Sequence, residues 1–214
     1  MKCLFIVPCK YISLSPVRDC LQSIKRFHED ADIALVDSCS DDISYLNDIK
    51  ESARYIFLNN KHYANGALWT SYESLKDDYD HFILLQDSII LKQSLKPWIN
   101  DKVHSMSWFP AEEEHPRDTR MLDLLKKFTG LSVSRSQWSG VFGPVLIFPK
   151  EALDEVYDLG VSNLLPITKS DNNSMERVWG IILEHLGHDI VTNCVEGRFT
   201  KHFNIIEKRF FERS

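Results

Sequence analysis

Cys3-Leu4-Phe5-Ile6-Val7-Pro8-Cys9-Lys10-Tyr11 begins with five apolar residues and is stopped by a proline. So short a run, ended by a chain breaker, predicts a strand buried on both faces. Behind it Ser15-Pro16 supplies an N-cap with proline at the first helical position, and Cys20, Leu21, Ile24 and Phe27 recur at helical spacing. The pattern then repeats. Ile33-Ala34-Leu35-Val36 is a second strand, and Asp41-Asp42 opens a helix with Ile43, Leu46 and Ile49 as its inner stripe. A third strand covers 55–58, and Asn65-Gly66 precedes a helix carrying Leu68, Tyr72 and Leu75. Phe82-Ile83-Leu84-Leu85 is the fourth strand, and 88–91 extends the sheet. Alternation of strand and helix about every 25 residues predicts right-handed crossovers and a largely parallel sheet. Ligands of such sheets gather beyond the carboxyl ends of the strands, which singles out 8–11, 37–40, 59–66 and 86–88.

The second half is less regular. Residues 100–120, broken by Pro110 and Pro116, predict a surface excursion, followed by a helix over 120–128. Trp138-Ser139-Gly140-Val141-Phe142-Gly143-Pro144 leads into a strand over 145–148, then a helix over 151–158. Ser174 is expected to cap a helix whose inner face is Met175, Val178, Trp179, Ile182, Leu183 and Leu186, ended by Gly187. Ile190-Val191-Thr192 is a last short strand, and the basic, aromatic tail is expected to be a packed helix. With no repeat and no linker, 1–214 is one domain, regular in 1–92 and less so in 93–214. Its excision from a longer chain stays open.

Charge and composition narrow the function. Among 214 residues, 43% apolar, the 25 Lys and Arg against 31 Asp and Glu leave a net charge of −6. That gives no general attraction to nucleic acid or anionic membrane. No apolar run approaches the roughly 18 residues of a spanning helix. Five cysteines, odd in number and without C-x-x-C spacing, fit reduced thiols and a cytoplasmic location. The turn after the first strand holds no glycine, which speaks against a dinucleotide, S-adenosylmethionine or P-loop site.

What remains resembles the GT-A-fold nucleotide-diphospho-sugar glycosyltransferases, family-2-like in their first half. Val7-Pro8-Cys9-Lys10-Tyr11 is similar to the V-P-x-Y turn of that family, and Val36-Asp37-Ser38-Cys39-Ser40-Asp41-Asp42 to its V-D-D-G-S-x-D. Leu84-Leu85-Gln86-Asp87-Ser88 stands where the family has a metal-binding DXD, and Met175-Glu176 and His202 complete the set. The match covers most of 3–92 and two later islands, and it looks closest to the small chlorovirus-encoded capsid-glycan glycosyltransferases. The resemblance implies an α/β, GT-A fold with a mostly parallel mixed sheet flanked by helices, with 1–92 its nucleotide-binding half and 93–214 its acceptor and sugar half. It also implies transfer of a hexose, glucose-type or a deoxyhexose such as rhamnose, from a UDP-sugar to a hydroxyl of a glycan or glycoprotein. The location would be the host cytoplasm if the protein is virus-encoded. Two rivals stay open: a nucleotidyltransferase making an activated sugar, and a non-catalytic sugar-nucleotide-binding module.

A diphosphate on a protein of this charge calls for a cation, Mn²⁺ or Mg²⁺. Asp87, at the ligand edge, is the candidate metal ligand, although Gln86 and Ser88 leave it as the lone carboxylate of its element. Resemblance adds His202 as a second ligand, and the adjacent Lys201 is a candidate for the phosphates. Asp78-Tyr79-Asp80 is a literal D-x-D that precedes its strand and so falls at the wrong end. Asp37 would accept the uracil N3–H, though strand-to-loop chemistry also puts Asp there. Tyr11 would stack on the base, with Pro8, Cys9, Ser38 and Gln86 around the nucleotide; Asn65 and Gly66 would offer a helix start to it. Glu176, placed by resemblance at a helix start, is the candidate general base, with Asp171 in reserve; the same position suits a purely helix-stabilising acid. Trp138, Gly140 and Gly143 would line the sugar.

Overall fold

The computed structural model describes residues 1–11, 14–110, 118–132, 139–142, 145–200 and 202–209. Strands β1 (Cys3–Cys9), β2 (Asp32–Asp37), β3 (Tyr55–Phe57) and β4 (His81–Leu85) run parallel in the order β3-β2-β1-β4. Helices α1 (Leu14–Phe27), α2 (Leu46–Ile49) and α3 (Tyr63–Leu75) lie in the crossovers. β5 (Ile89–Leu91), β6 (His104–Ser105), β7 (Trp108–Pro110) and α4 (Thr119–Thr129) follow, then β8 (Ser139–Val141), β9 (Val145–Pro149) and α5 (Lys150–Asp158). α6 (Lys169–His185) and β10 (Ile206–Lys208) close the chain's regular elements. The six-stranded sheet is completed as β3-β2-β1-β4-β9-β6, with β9 antiparallel to both neighbours. The α/β class expected from the sequence, with its mostly parallel mixed sheet, is therefore the architecture found.

Alternation along the strands splits the core in two. Leu4, Ile6, Phe82 and Leu84 face α3, α5 and α6; Phe5, Val7, Ile83 and Leu85 face α1 and the β5 side. All five β4 residues are buried, as a central strand covered on both faces requires.

Several elements depart from expectation. α1 starts at Leu14, so Ser15-Pro16 falls inside its first turn, where backbone N–H groups lack helical partners anyway. The helix expected from Asp41 shrinks to the single turn α2; Asp42 instead accepts from Ser44 in a local turn, and Ile43 stays 49% exposed. Residues 89–91 leave the main sheet and pair with β10, so the tail is a strand there rather than a helix. Within the expected surface excursion, β6 is a buried edge strand of the main sheet. Residues 190–192 form turns, and the chain near them makes only isolated bridges at Cys194 and Arg198.

Two packing details yield measurable consequences. A Cβ on Gly180 of α6 would lie 1.8 Å from the Ser139 carbonyl oxygen. Alanine would gain about 1 kcal/mol of helix propensity, but the overlap is with backbone and costs more, about 3 kcal/mol. Gly180→Ala is therefore expected to destabilise the fold by about 2 kcal/mol in denaturant titration; a stabilised variant would contradict this close contact.

His28 is 4% exposed, and its Nε2 accepts the Leu95 N–H at 2.9 Å. Burial, aided by Lys96, lowers its pKa to about 4. The neutral ring is thus the native form. Its stabilising contribution is complete above pH 6.5 and is lost as pH falls toward 4, in total about 3 kcal/mol. His28→Gln, which keeps an acceptor without a titrating ring, is expected to flatten that part of the urea-midpoint profile. An unchanged profile would refute the assignment.

Candidate functional site

Four loops meet beyond the carboxyl ends of β1, β2, β3 and β4. Ser38 N–H donates to Cys9 O at 2.7 Å, Asn60 N–H to Asp37 O at 3.0 Å, and Asp87 N–H to Pro8 O at 3.4 Å. The described non-glycine residues with left-handed backbone all sit in this region: Cys39 (φ 57°), Asn59 (φ 64°) and Tyr63 (φ 53°). Backbone strain of this kind collects where a surface is shaped for function.

Asp37 is 1% exposed and its oxygens serve the protein itself. Oδ1 accepts Ser40 N–H at 2.9 Å; Oδ2 accepts the Ser40 hydroxyl at 2.5 Å and the Tyr45 hydroxyl at 2.8 Å. The Tyr45 oxygen also meets Cys9 Sγ at 3.0 Å, and burial together with Cys9 and Asp37 pushes its pKa far up, so it remains a donor. With these bonds the Asp37 carboxylate orders the loop carrying Ser38 and Ser40, a structural role beside the contact with a uracil edge that the sequence led us to expect. Tyr11 donates its N–H to Ser40 Oγ at 2.8 Å and lays its half-buried ring on Tyr45, centroids 4.6 Å apart and planes 6° apart. Tyr45, which sequence reasoning missed, is the post behind both groups.

Asn60 is the second omission. Its Nδ2 donates to Ser38 Oγ (3.2 Å) and Tyr63 O (2.6 Å), while Oδ1 accepts His62 N–H (3.0 Å). That oxygen would be 2.3 Å from a Cβ on Gly66, which gives Gly66 a packing reason. Asn65 and Gly66 lie within the first turns of α3, not before it. Asn65 is 2% exposed and donates Nδ2 to Leu164 O at 2.6 Å.

Gln86, Asp87 (4% exposed) and Ser88 (7%) follow β4 directly. A small cavity of about 20 Å³ joins this loop to α6, with Asn65, Leu84, Gln86, Asn172, Glu176 and Trp179 among its walls. Glu176 therefore reaches the same edge as Gln86, although α6 begins at Lys169 and Glu176 is two turns inside it, not at its start. The helix is capped by Thr168 in a reciprocal capping box with Asp171. Asp171 also accepts Ile167 N–H and pairs with Arg120 at 2.7 Å. Burial raises its pKa, but the hydrogen bonds from Ile167, Arg120 and Thr168 outweigh that and hold it low. Asp171 is a helix cap and a poor base, which corrects its reserve role. Ser174 caps nothing; its hydroxyl donates to Asp118 at 2.7 Å, and Arg177 pairs with the same buried Asp118 at 3.1 Å.

Trp138, Gly143 and Lys201 lie outside the described residues. Gly140 has a structural reason for lacking a side chain, since a Cβ would overlap the Phe109 ring at 2.2 Å. His202 is exposed on the segment before β10. The β10–β5 register instead sets Lys208 opposite Ile89, and Arg209 N–H donates to Ser88 O at 2.9 Å. Lys208 Nζ stands 4.4 Å from the Phe142 ring centroid. Phe142 precedes Val145 by three residues, and Val145 pairs with Leu85 at the end of β4. A cation thus flanks the Asp87 loop, a placement hidden by reading the tail as a helix. The literal D-x-D is at the opposite end as expected: Asp80 accepts Lys2 N–H at 2.6 Å and Tyr79 donates to Asp32 at 2.6 Å. Among the described residues no group of three or more His, Cys, Asp or Glu is placed to hold a metal ion, and no helix is long and apolar enough to cross a membrane.

No protein-family model and no curated protein matches this chain. Solved structures do. A CMP:2-keto-3-deoxy-manno-octonic acid synthetase complexed with CTP aligns over 93% of this chain and 91% of its own, with a TM-score of 0.54 at 13% identity. A mannosyltransferase from Pyrobaculum calidifontis in complex with GDP-Man and Mn²⁺ aligns over 72% of this chain and 46% of its own (TM-score 0.47, 17% identity). An active-site mutant of LgtC aligns over 83% and 70% (TM-score 0.42, 12% identity). At these identities the first likeness shows a shared fold, and the other two are too distant to carry an argument.

Proposed function

We propose that this chain is a glycosyltransferase that moves a hexose from a UDP-sugar to a hydroxyl of a glycan or glycoprotein. The observation that carries the reading is the cavity shared by Gln86 and Glu176, because it joins a carboxylate on α6 to the loop bearing Asp87. The uridine would lie on the 8–11 and 37–40 loops, with Tyr11 offering its ring to the base. Lys208 would face the diphosphate.

The donor set at this edge fits a divalent ion that arrives with the diphosphate. Asp87 supplies one hard carboxylate at the end of β4, and phosphate oxygens and water complete such a shell. Asp87 would hold the ion, Mn²⁺ or Mg²⁺, with His202 a candidate second ligand; when bound, it would neutralise charge on the leaving diphosphate. Glu176 takes the proton from the acceptor hydroxyl as that oxygen bonds to the anomeric carbon, the carbon–oxygen bond to the diphosphate breaks, and UDP leaves. A base so placed favours inversion.

The runner-up, a nucleotidyltransferase, is disfavoured by the β1–α1 connection. Its sequence holds no glycine, whereas a loop that grips a triphosphate is expected to be glycine-rich so that backbone can approach closely. Incubation with UDP-hexoses and glycan acceptors is expected to release UDP in a manganese-dependent way. Pyrophosphate release from UTP and a sugar phosphate, without UDP-sugar turnover, would transfer the site to the rival reaction.

A further inference from the structure

We infer that Arg209 is a positioning residue for the diphosphate and its cation: through Asp19 it joins β10 to α1, the two elements that hold the Asp87 loop. This rests on the sugar-nucleotide reading above. α1 grips the chain at both ends of that loop and the strand after it. The Cys20 thiol donates to Gln86 O at 3.7 Å, and Ser23 Oγ accepts Leu91 N–H at 3.0 Å. β10 grips the middle, since Arg209 N–H donates to Ser88 O at 2.9 Å and Lys208 pairs with Ile89. These bonds take backbone atoms of 86–91, so they set where the loop stands without using the Asp87 carboxylate.

Arg209 links the two holders. Its guanidinium pairs with Asp19 on α1 through Nη1 and with Glu207 on β10 through Nε at 2.9 Å. A planar guanidinium meets two carboxylates at once, which fixes the end of β10 in direction as well as in distance. The rest of β10 is held without it. Lys92 N–H donates to Ile205 O at 2.8 Å, Glu196 accepts Asn204 N–H at 2.7 Å, and Ile206 is fully buried. Loss of the Asp19 pair therefore frees the strand end that carries Lys208 and meets Ser88, and leaves the fold in place. A loop ordered in advance binds a diphosphate more tightly, because less freedom is lost on binding. The Arg209 and Asp19 side chains are 38% and 32% exposed, so the link is worth a few-fold in affinity and not orders of magnitude.

Calorimetric titration of UDP into the full chain with manganese, beside kcat and KM for UDP-glucose and UDP-galactose, tests this. Arg209→Ala and Asp19→Ala are each expected to weaken UDP binding by about three- to fivefold, with KM for the donor rising in parallel. The double variant is expected to bind no more weakly than either single one, because both remove one contact. kcat should stay within about twofold, since Glu176 is carried by α6 and not by either linked element. Titrations are made well below each variant's melting temperature, so that no unfolded fraction enters the affinity. Wild-type affinity in Asp19→Ala overturns the inference, and a loss confined to Arg209→Ala would make the guanidinium a direct phosphate ligand. Losses that multiply in the double variant, or a fall in kcat with KM unchanged, overturn it too. If the wild-type chain neither binds UDP nor turns over a UDP-hexose, the sugar-nucleotide reading itself fails, and the inference falls with it.

Discussion

Asp87→Asn is expected to lower manganese-dependent UDP-sugar turnover by about a thousandfold, equivalent to about 4 kcal/mol of lost stabilisation at the leaving group. The substitution is nearly isosteric, and the Asp87 N–H to Pro8 O contact that ties the loop to β1 is a backbone bond and survives it. What disappears is charge. An amide oxygen is a weak ligand for a hard dication, so the variant should bind UDP with manganese no better than wild type does in a chelator. Melting temperature serves as the control for folding. A variant that keeps wild-type kcat/KM, or retains manganese-enhanced UDP binding, would take the metal role from this residue.

Glu176→Gln is expected to reduce kcat by about 10²- to 10⁴-fold, the usual worth of a general base, while leaving manganese-supported UDP affinity close to wild type. Asp171→Asn is the contrasting case, since its carboxylate closes the Thr168 capping box and meets Arg120. That change should cost about 1 kcal/mol of stability and spare kcat. Loss of kcat in the Asp171 variant alone would reverse the two assignments.

Much of the architecture was legible because strands announce themselves locally. The runs at 4–7, 33–36 and 82–85 are buried at both faces, and a continuous apolar stretch between loop-forming residues admits few other readings. The edge elements were not legible for the converse reason. β6 has two residues, and β10 is paired by a partner more than a hundred positions earlier, so neither carries a local pattern strong enough to oppose the composition around it. Helix starts misled in both directions. Asp42 satisfies Ser44 instead of a helix, and Thr168 with Asp171 begins α6 two turns ahead of Glu176.

The site divides in the same way. Sequence order placed Tyr11, Asp37, Asn65 and Asp87 at one edge of the sheet, where the loops after β1, β2, β3 and β4 do meet. It did not disclose what each side chain does there. Asp37 reads as a base contact in the sequence, which does not show that Tyr45, eight residues on, donates to it from within. Asn60 and Lys208 stayed hidden because their importance lies in a loop turn and in strand register, neither of which a linear motif records.

Anomalous diffraction at the manganese edge, from crystals grown with UDP and Mn²⁺, tests the account most directly. It predicts one peak bridging the Asp87 carboxylate and the diphosphate oxygens, with the uracil over the loops that follow β1 and β2. A peak bound elsewhere, or UDP ordered at this edge with no metal between its phosphates and Asp87, would contradict it.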